Sequence, residues 1–237
     1  MQTQSVTIRD VERWNDTFAR EHDIDDYYTR SGFVIRWIEQ RRLACIRKMI
    51  AATPDDRILE VGCGGGHVLR LFPQSDLTGV DVSDEMLRKA RRNLEGYRVR
   101  LLKGEPHELD LPDRGFDRII CSEVLEHVVD PAAMLDQIRR LVHPDGRVVV
   151  TIPNDRLVNR LKAVIGHTGL VNLPAFGRTS WGGDKYHLHI WRAREMRDLL
   201  SRYFRVSQTR LAPYRWLPIR CCFLCFPAVA RHGSAAS

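Results

Sequence analysis

The stretch RILEVGCGGG at residues 57–66, with GVDVS following at 79–83, decides how this chain is read. Arg57–Val61 is a short apolar run suited to one buried strand, and it leads directly into Gly62-Cys63-Gly64-Gly65-Gly66. Glycines let the backbone turn sharply and let a ligand approach the main chain closely. The amides at the start of the following helix favour a polar or anionic group. Leu77–Val80 forms a second strand, and Asp81 stands at its end, 19 residues after Gly62. A carboxylate there is placed to accept both hydroxyl protons of a ribose. The loop is not the dinucleotide pattern G-x-G-x-x-G, because position 67 is His67 and the spacing is G-x-G-x-G.

Outward from this loop the sequence keeps a βα rhythm. A helix is expected over about 66–72. Ser83 is an N-cap, with Asp84 and Glu85 in the first turn of a helix reaching about Leu94. Val99–Leu102 and Phe116–Cys121 read as strands three and four. Asp130-Pro131 opens another helix, and Asp145-Gly146 turns the chain into strand five, Arg147–Ile152. Alternating strands and helices imply an α/β fold with a doubly wound, mostly parallel sheet. Ahead of it, residues 8–22 and 31–52 read as helices, the second with Phe33, Trp37, Leu43, Ile46 and Ile50 roughly on one face. Beyond Pro153 come helices at 155–165 and 193–203, a Gly- and aromatic-containing loop at 166–186, and a late strand at Arg205–Leu211. The expected division is an N-terminal helical lid at 1–52, a nucleotide-binding domain at 53–211 with a substrate-side cap at about 155–190, and a C-terminal apolar segment and tail at 212–237.

These motifs resemble those of the class I S-adenosylmethionine-dependent methyltransferases, a Rossmann-like fold, with an insertion after strand five. The likeness extends through LPDRGFDRIICSEVLEHVVDP at 111–131 and DGRVVVTIPN at 145–154 and covers about residues 30–205. It implies that Gly62, Gly64 and Gly66 form the cofactor loop and that Glu60 organises it. It places the ribose on Asp81 and the adenine beside Val82 and Glu105. Cys121 and Ser122 would flank the methionine part. Arg36, in FVIRWIEQRR at 33–42, resembles an arginine of the ubiquinone-pathway enzymes that anchors the cofactor carboxylate.

Glu123, Glu126 and His127 follow strand four, at the ligand-binding carboxyl edge of such a sheet. On a helical turn their spacing puts all three on one face, where they suit a divalent cation such as Mg²⁺ or Mn²⁺. His187 or His189, in YHLHIW at 186–191, would supply a fourth ligand. Glu-x-x-Glu-His with a later His resembles the ubiquinone-pathway O-methyltransferases and the small-RNA 2′-O-methyltransferases, and in both the pattern favours His187. A metal lowers the pKa of an acceptor hydroxyl and orients it; without one, His127 or His187 serves as general base, with Glu123 beside them. The expected reaction is methyl transfer to a hydroxyl of a small-molecule or lipid-linked acceptor. The alternatives are an RNA 2′-O-methyltransferase and a non-catalytic S-adenosylmethionine-binding scaffold. His67 disfavours a nicotinamide oxidoreductase.

The chain has 237 residues, suiting one α/β domain with additions, and its 43% hydrophobic and 28% charged content is that of a soluble globular protein. The net charge of +7 is unevenly spread: residues 155–237 carry fourteen basic and four acidic residues. Such a basic third suits nucleic acid, an anionic surface or simply water. The first ten residues, MQTQSVTIRD, lack the apolar core of a secretory signal, so reduced thiols in the cytoplasm are expected for the six Cys. Cys222 and Cys225 form a single C-x-x-C, weak for zinc and better suited to buried packing. The apolar run at 221–230 is too short to span a bilayer; it reads as a late strand or cap, with peripheral lipid contact as the alternative. Tyr27 and Tyr28 are candidates for the lid, and Trp181, Tyr186 and Trp191 for an aromatic acceptor pocket.

Overall fold

The computed structural model describes residues 7–21, 31–168 and 187–228. Tyr27, Tyr28, Trp181, Tyr186 and the tail after 228 lie outside the described residues. Seven strands form one sheet in the order β3-β2-β1-β4-β5-β7-β6. They are β1 (Arg57–Val61), β2 (Asp76–Asp81), β3 (Val99–Lys103), β4 (Phe116–Ser122), β5 (Val142–Pro153), β6 (Phe204–Tyr214) and β7 (Leu217–Pro227). β1 to β5 pair in parallel, whereas β7 runs antiparallel between β5 and β6. The helices are α1 (Ile8–Glu21), α2 (Phe33–Ile50), α3 (Asp84–Asn93), α4 (Pro131–Leu141), α5 (Asp155–Thr168) and α6 (Ala193–Leu200).

Side chains alternate across the strands, so the sheet is covered on both faces. On one face Leu59, Ile119, Cys121, Val148, Val150 and Phe223 pack with Leu135 and Ile138 of α4 and with Met196 and Leu200 of α6. On the other, Ile58, Ile120, Val149 and Cys222 pack with Ile46 and Ile50 of α2 and with Leu87 and Ala90 of α3. Ser83 and Asp130 cap α3 and α4 as their sequences require: Ser83 accepts from the Met86 amide, and Asp130 from Ala132 and Ala133.

Four expectations change. The helix expected at 66–72 shrinks to a 3₁₀ turn at Leu69–Leu71, because Pro73 disfavours helix at Phe72 and the glycines end only at Gly66. The strand expected from 147 begins at Val142; between the rungs Phe116–Val142 and Arg118–Arg147 the register shifts, and Asp145-Gly146 sits in that irregularity rather than in a turn before the strand. α2 buries Glu39, Arg42, Ile46, Met49 and Ile50, whereas Phe33, at its first residue, is exposed. The apolar run is the late strand read from the sequence, but as β7 it lies inside the sheet, between β5 and β6, rather than in a segment apart at 212–237.

Within β7, Cys221, Cys222, Phe223, Leu224 and Cys225 are buried. A fully buried Phe alone contributes roughly 1.5–3 kcal/mol, so lipid contact through this run would require giving up core. Cys222 and Cys225 belong to the core clusters on opposite faces of the sheet and cannot hold one zinc ion. Among the described residues no helix is long and apolar enough to cross a membrane.

Candidate active site

The loop after β1 is held from below and from the side. The amides of Gly62 and Cys63 donate to the Val80 carbonyl, joining the loop to the end of β2. Gly66 has φ +79°, and a Cβ there would lie 2.7 Å from Leu94 Cδ1, so only glycine fits between the loop and α3. Gly64 has φ +49°, and the space around the missing Cβ is open, so its backbone conformation rather than packing calls for glycine. Its amide donates to Asp81 Oδ2 at 2.8 Å, and the Ser83 amide donates to Oδ1 at 2.9 Å. Asp81 is thus fixed by backbone on both oxygens, each with a further lone pair able to accept. Burial lifts its carboxyl above the ordinary range, against the pull of the Ser83 and Gly64 amides. Val82, next along, is partly buried.

Glu60 is buried in β1, and its Oε2 has no hydrogen-bond partner among the described residues. Burial raises its pKa well above the usual value; Arg42 opposes the shift and Asp81 adds to it. A carboxyl raised on folding contributes stability that is fully present below the unfolded pKa of about 4.3 and is lost as pH climbs through the folded pKa. Glu60→Gln is therefore expected to raise Tm by about 2–4 °C at pH 8 and by less at pH 5, measured by differential scanning calorimetry. An equal change at both pH values would contradict the assignment.

Glu105 lies after β3, half-buried, with its carboxylate 3.3 Å from His107 Nδ1. Burial raises its pKa, and His107 pulls the other way. Cys121 is wholly buried in the core, and burial pushes its thiol up, so its side chain does not flank an open cofactor site as expected. Ser122, also buried, accepts from Arg42 Nη1. Arg36 is partly buried on α2, but the arginine of that helix brought to the end of β4 is Arg42.

Glu123 to His127 do not form a helix. Glu123 has φ +59°, and the segment is a turn, so the three side chains do not share one face. Glu123 belongs to a closed ring of polar side chains. Thr151 Oγ1 donates to Glu123 Oε1 at 2.8 Å, and Arg220 Nε lies 3.0 Å from Oε2. Arg220 Nη2 reaches Glu39 at 3.1 Å, Glu39 accepts from Arg42 at 2.7 Å, and Arg42 returns through Ser122 to Thr151. Burial acts to raise the Glu39 carboxyl, but the charges of Arg42 and Arg220 outweigh it and hold the group below its usual value.

Glu126, His127 and His187 come together instead, each offering one ligand atom, all within 4.8 Å of one another. Glu126 is 1% exposed, and its Oε2 has no hydrogen-bond partner among the described residues. Burial, and then Glu123, raise its pKa well above the usual range. The rings of His127 and His187 meet edge to face at 4.8 Å. The amides of Leu188 and His189 donate to the Glu126 carbonyl, pinning the later segment to this turn. His189 Nε2 lies 3.0 Å from the Val128 carbonyl, which leaves His187 as the histidine of this group. Trp191 packs against the core. Asp155 and Thr151 belong to no motif of the sequence, and Arg220 reads there only as a flank of the apolar run at 221–230. Only Asp155, an acid directly after the IPN turn of strand five, carried a positional signal.

Residues 59–150 match the methyltransferase domain family. With the sheet order and the loop, this match defines the class: the fold is that of the class I, Rossmann-like methyltransferases. The magnesium protoporphyrin IX methyltransferase from Synechocystis PCC 6803, solved with bound S-adenosylhomocysteine, superimposes with a TM-score of 0.67 at 17% identity, covering 92% of this chain and 98% of that one. Among curated proteins the chain is similar to ubiquinone biosynthesis O-methyltransferases. That of Xylella fastidiosa is 36% identical over 125 residues, 49% of this chain and 50% of the relative. That of Pseudomonas aeruginosa is 32% identical over 167 residues, 68% and 66%. The chain spans about half the length of the first of these relatives.

Proposed function

We propose that this chain transfers a methyl group from S-adenosylmethionine to a hydroxyl of a small-molecule or lipid-linked acceptor. The observation that carries this reading is the convergence of Glu126, His127 and His187 beside the end of β4, next to β1, whose loop carries Gly64 and is bonded through it to Asp81 at the end of β2. The curated relatives named as O-methyltransferases agree with it. Gly62, Gly64 and Gly66 would cradle the cofactor, Asp81 its ribose, Val82 and Glu105 its adenine, and Arg36 its carboxylate. S-adenosylmethionine supplies an electrophilic methyl carbon, and the residues of the chain align the acceptor oxygen with it. Without a bound ion the acceptor proton goes to His127 or His187, and with one it is lost to solvent from the acidified hydroxyl, as the oxygen–carbon bond forms and the carbon–sulfur bond breaks, leaving the neutral thioether of S-adenosylhomocysteine.

One carboxylate oxygen and two imidazole nitrogens fit a divalent cation, and the orphaned buried Oε2 of Glu126 supports that fit. Mg²⁺ prefers oxygen ligands, so this set suits Mn²⁺ better. A bound ion would lower the pKa of the hydroxyl it meets. Glu123 lies outside this set, held by Arg220 and Thr151, and acts as a support rather than a ligand. α1 supports the reading of residues 1–52 as a lid: Asp16 accepts from the Ser83 hydroxyl, and Glu12 pairs with Lys103 at 2.7 Å, both beside the cofactor edge.

The test is incubation with S-adenosylmethionine and a panel of catechols and vicinal diols, with Mn²⁺ or with a chelator. A monomethyl ether formed with equimolar S-adenosylhomocysteine, and lost on chelation, is the expected result. Transfer to an amine or carbon acceptor, indifferent to chelation, would contradict it. Salt-sensitive binding of RNA oligomers with methylation of their 3′-terminal 2′-hydroxyl would favour RNA instead.

A further inference from the structure

The Asn154-Asp155 corner, where β5 gives way to α5, is built more rigidly than a helix start needs. The Asn154 amide donates to the Ile219 carbonyl, and its Nδ2 donates to the Pro218 carbonyl at 2.9 Å, nailing the corner to β7. Asn154 also caps α5, accepting from the Leu157 and Val158 amides through its side-chain and main-chain oxygens. Asp155 is therefore not needed as the cap. Asp155 is 2% exposed, and its Oδ2 lies 3.0 Å from His187 Nδ1. The far side of this contact is equally fixed, because the two amides after His187 donate to the Glu126 carbonyl.

If the Asp155 carboxylate accepts this bond, the His187 nitrogen facing it carries the proton. That leaves the Nε2 lone pair as the nitrogen available to the group of Glu126 and His127. We propose that Asp155 is a positioning residue that fixes His187 in its Nδ1–H tautomer and so presents Nε2 to the reacting centre. This rests on the function proposed above but uses a residue outside the Glu-x-x-Glu-His motif. Carboxylate partners of this kind orient both metal-binding and proton-accepting imidazoles. An Asn at such a position keeps the shape and permits the wrong tautomer.

The test uses the full chain labelled with ¹⁵N-histidine, with His187→Gln assigning the ring signals. In the wild type at pH 8, His187 is expected to show a protonated Nδ1 and an unprotonated Nε2. In Asp155→Asn that preference should be lost or reversed, Mn²⁺ affinity measured by calorimetry should fall about 10–100-fold, and S-adenosylhomocysteine affinity should stay within twofold. Asp155→Glu should restore part of the Mn²⁺ affinity. A wild-type His187 protonated at Nε2, or an Asp155→Asn protein with an unchanged tautomer, would overturn the proposal. A wild type with the Nδ1–H tautomer that binds no Mn²⁺ would support the positioning role while removing the metal from the proposed function.

Discussion

Asp81→Ala is expected to weaken S-adenosylhomocysteine binding by about 100-fold or more, on the order of 3 kcal/mol. Two losses combine. The ribose loses two charge-assisted acceptors, and the amides of Gly64 and Ser83, which donate to the two Asp81 oxygens, lose their partner. The second loss loosens the loop that cradles the ligand at Gly64. Asp81→Asn separates the two effects. Its one remaining oxygen can keep one amide, so its deficit should fall between wild type and alanine. Calorimetric titration against all three proteins, with Tm recorded alongside, reads this directly. An alanine variant that stays folded and binds within threefold of wild type would remove Asp81 from the cofactor site.

Glu126→Ala and His187→Ala should each reduce methyl transfer about 10²–10⁴-fold while leaving S-adenosylhomocysteine affinity within threefold. The basis is position. Both side chains lie in the cluster at the end of β4, apart from the Gly64–Asp81 cradle at the ends of β1 and β2. Glu126→Ala also removes a buried carboxyl that burial and Glu123 hold well above its usual pKa, so the variant is expected to fold. Glu123→Gln should behave differently. It breaks into the ring with Arg220 and Thr151, so its first effect should be on Tm rather than on metal affinity. Equal catalytic losses at Glu123 and Glu126 with unchanged stability would contradict this separation.

The parallel sheet was legible because its strands are short apolar runs with glycine or capped helices after them, and Ser83 and Asp130 are local signals that tertiary context did not override. The cofactor edge was legible for the same reason, since the glycine spacing and Asp81 are set within one βαβ unit. What stayed hidden is long-range. Glu39 and Arg42 stand three apart on α2 with nothing local to mark them as buried, and it is Arg220, 181 positions beyond Glu39, that joins them into a buried ring. Glu123 looked like a ligand because a helix was assumed; a left-handed residue at the strand end turned it toward β5 and β7 instead. Asp155 gave no motif, and its partner lies 32 residues later.

On this reading the loop at 62–66 and Asp81 bind a sulfonium nucleoside rather than a dinucleotide. Calorimetric titration of the purified chain with S-adenosylmethionine, S-adenosylhomocysteine and NADH tests it most directly. Dissociation constants on the order of micromolar are expected for both sulfur nucleotides, with no heat from NADH. Binding of NADH, or no binding of either sulfur nucleotide by protein shown to be folded, would contradict it.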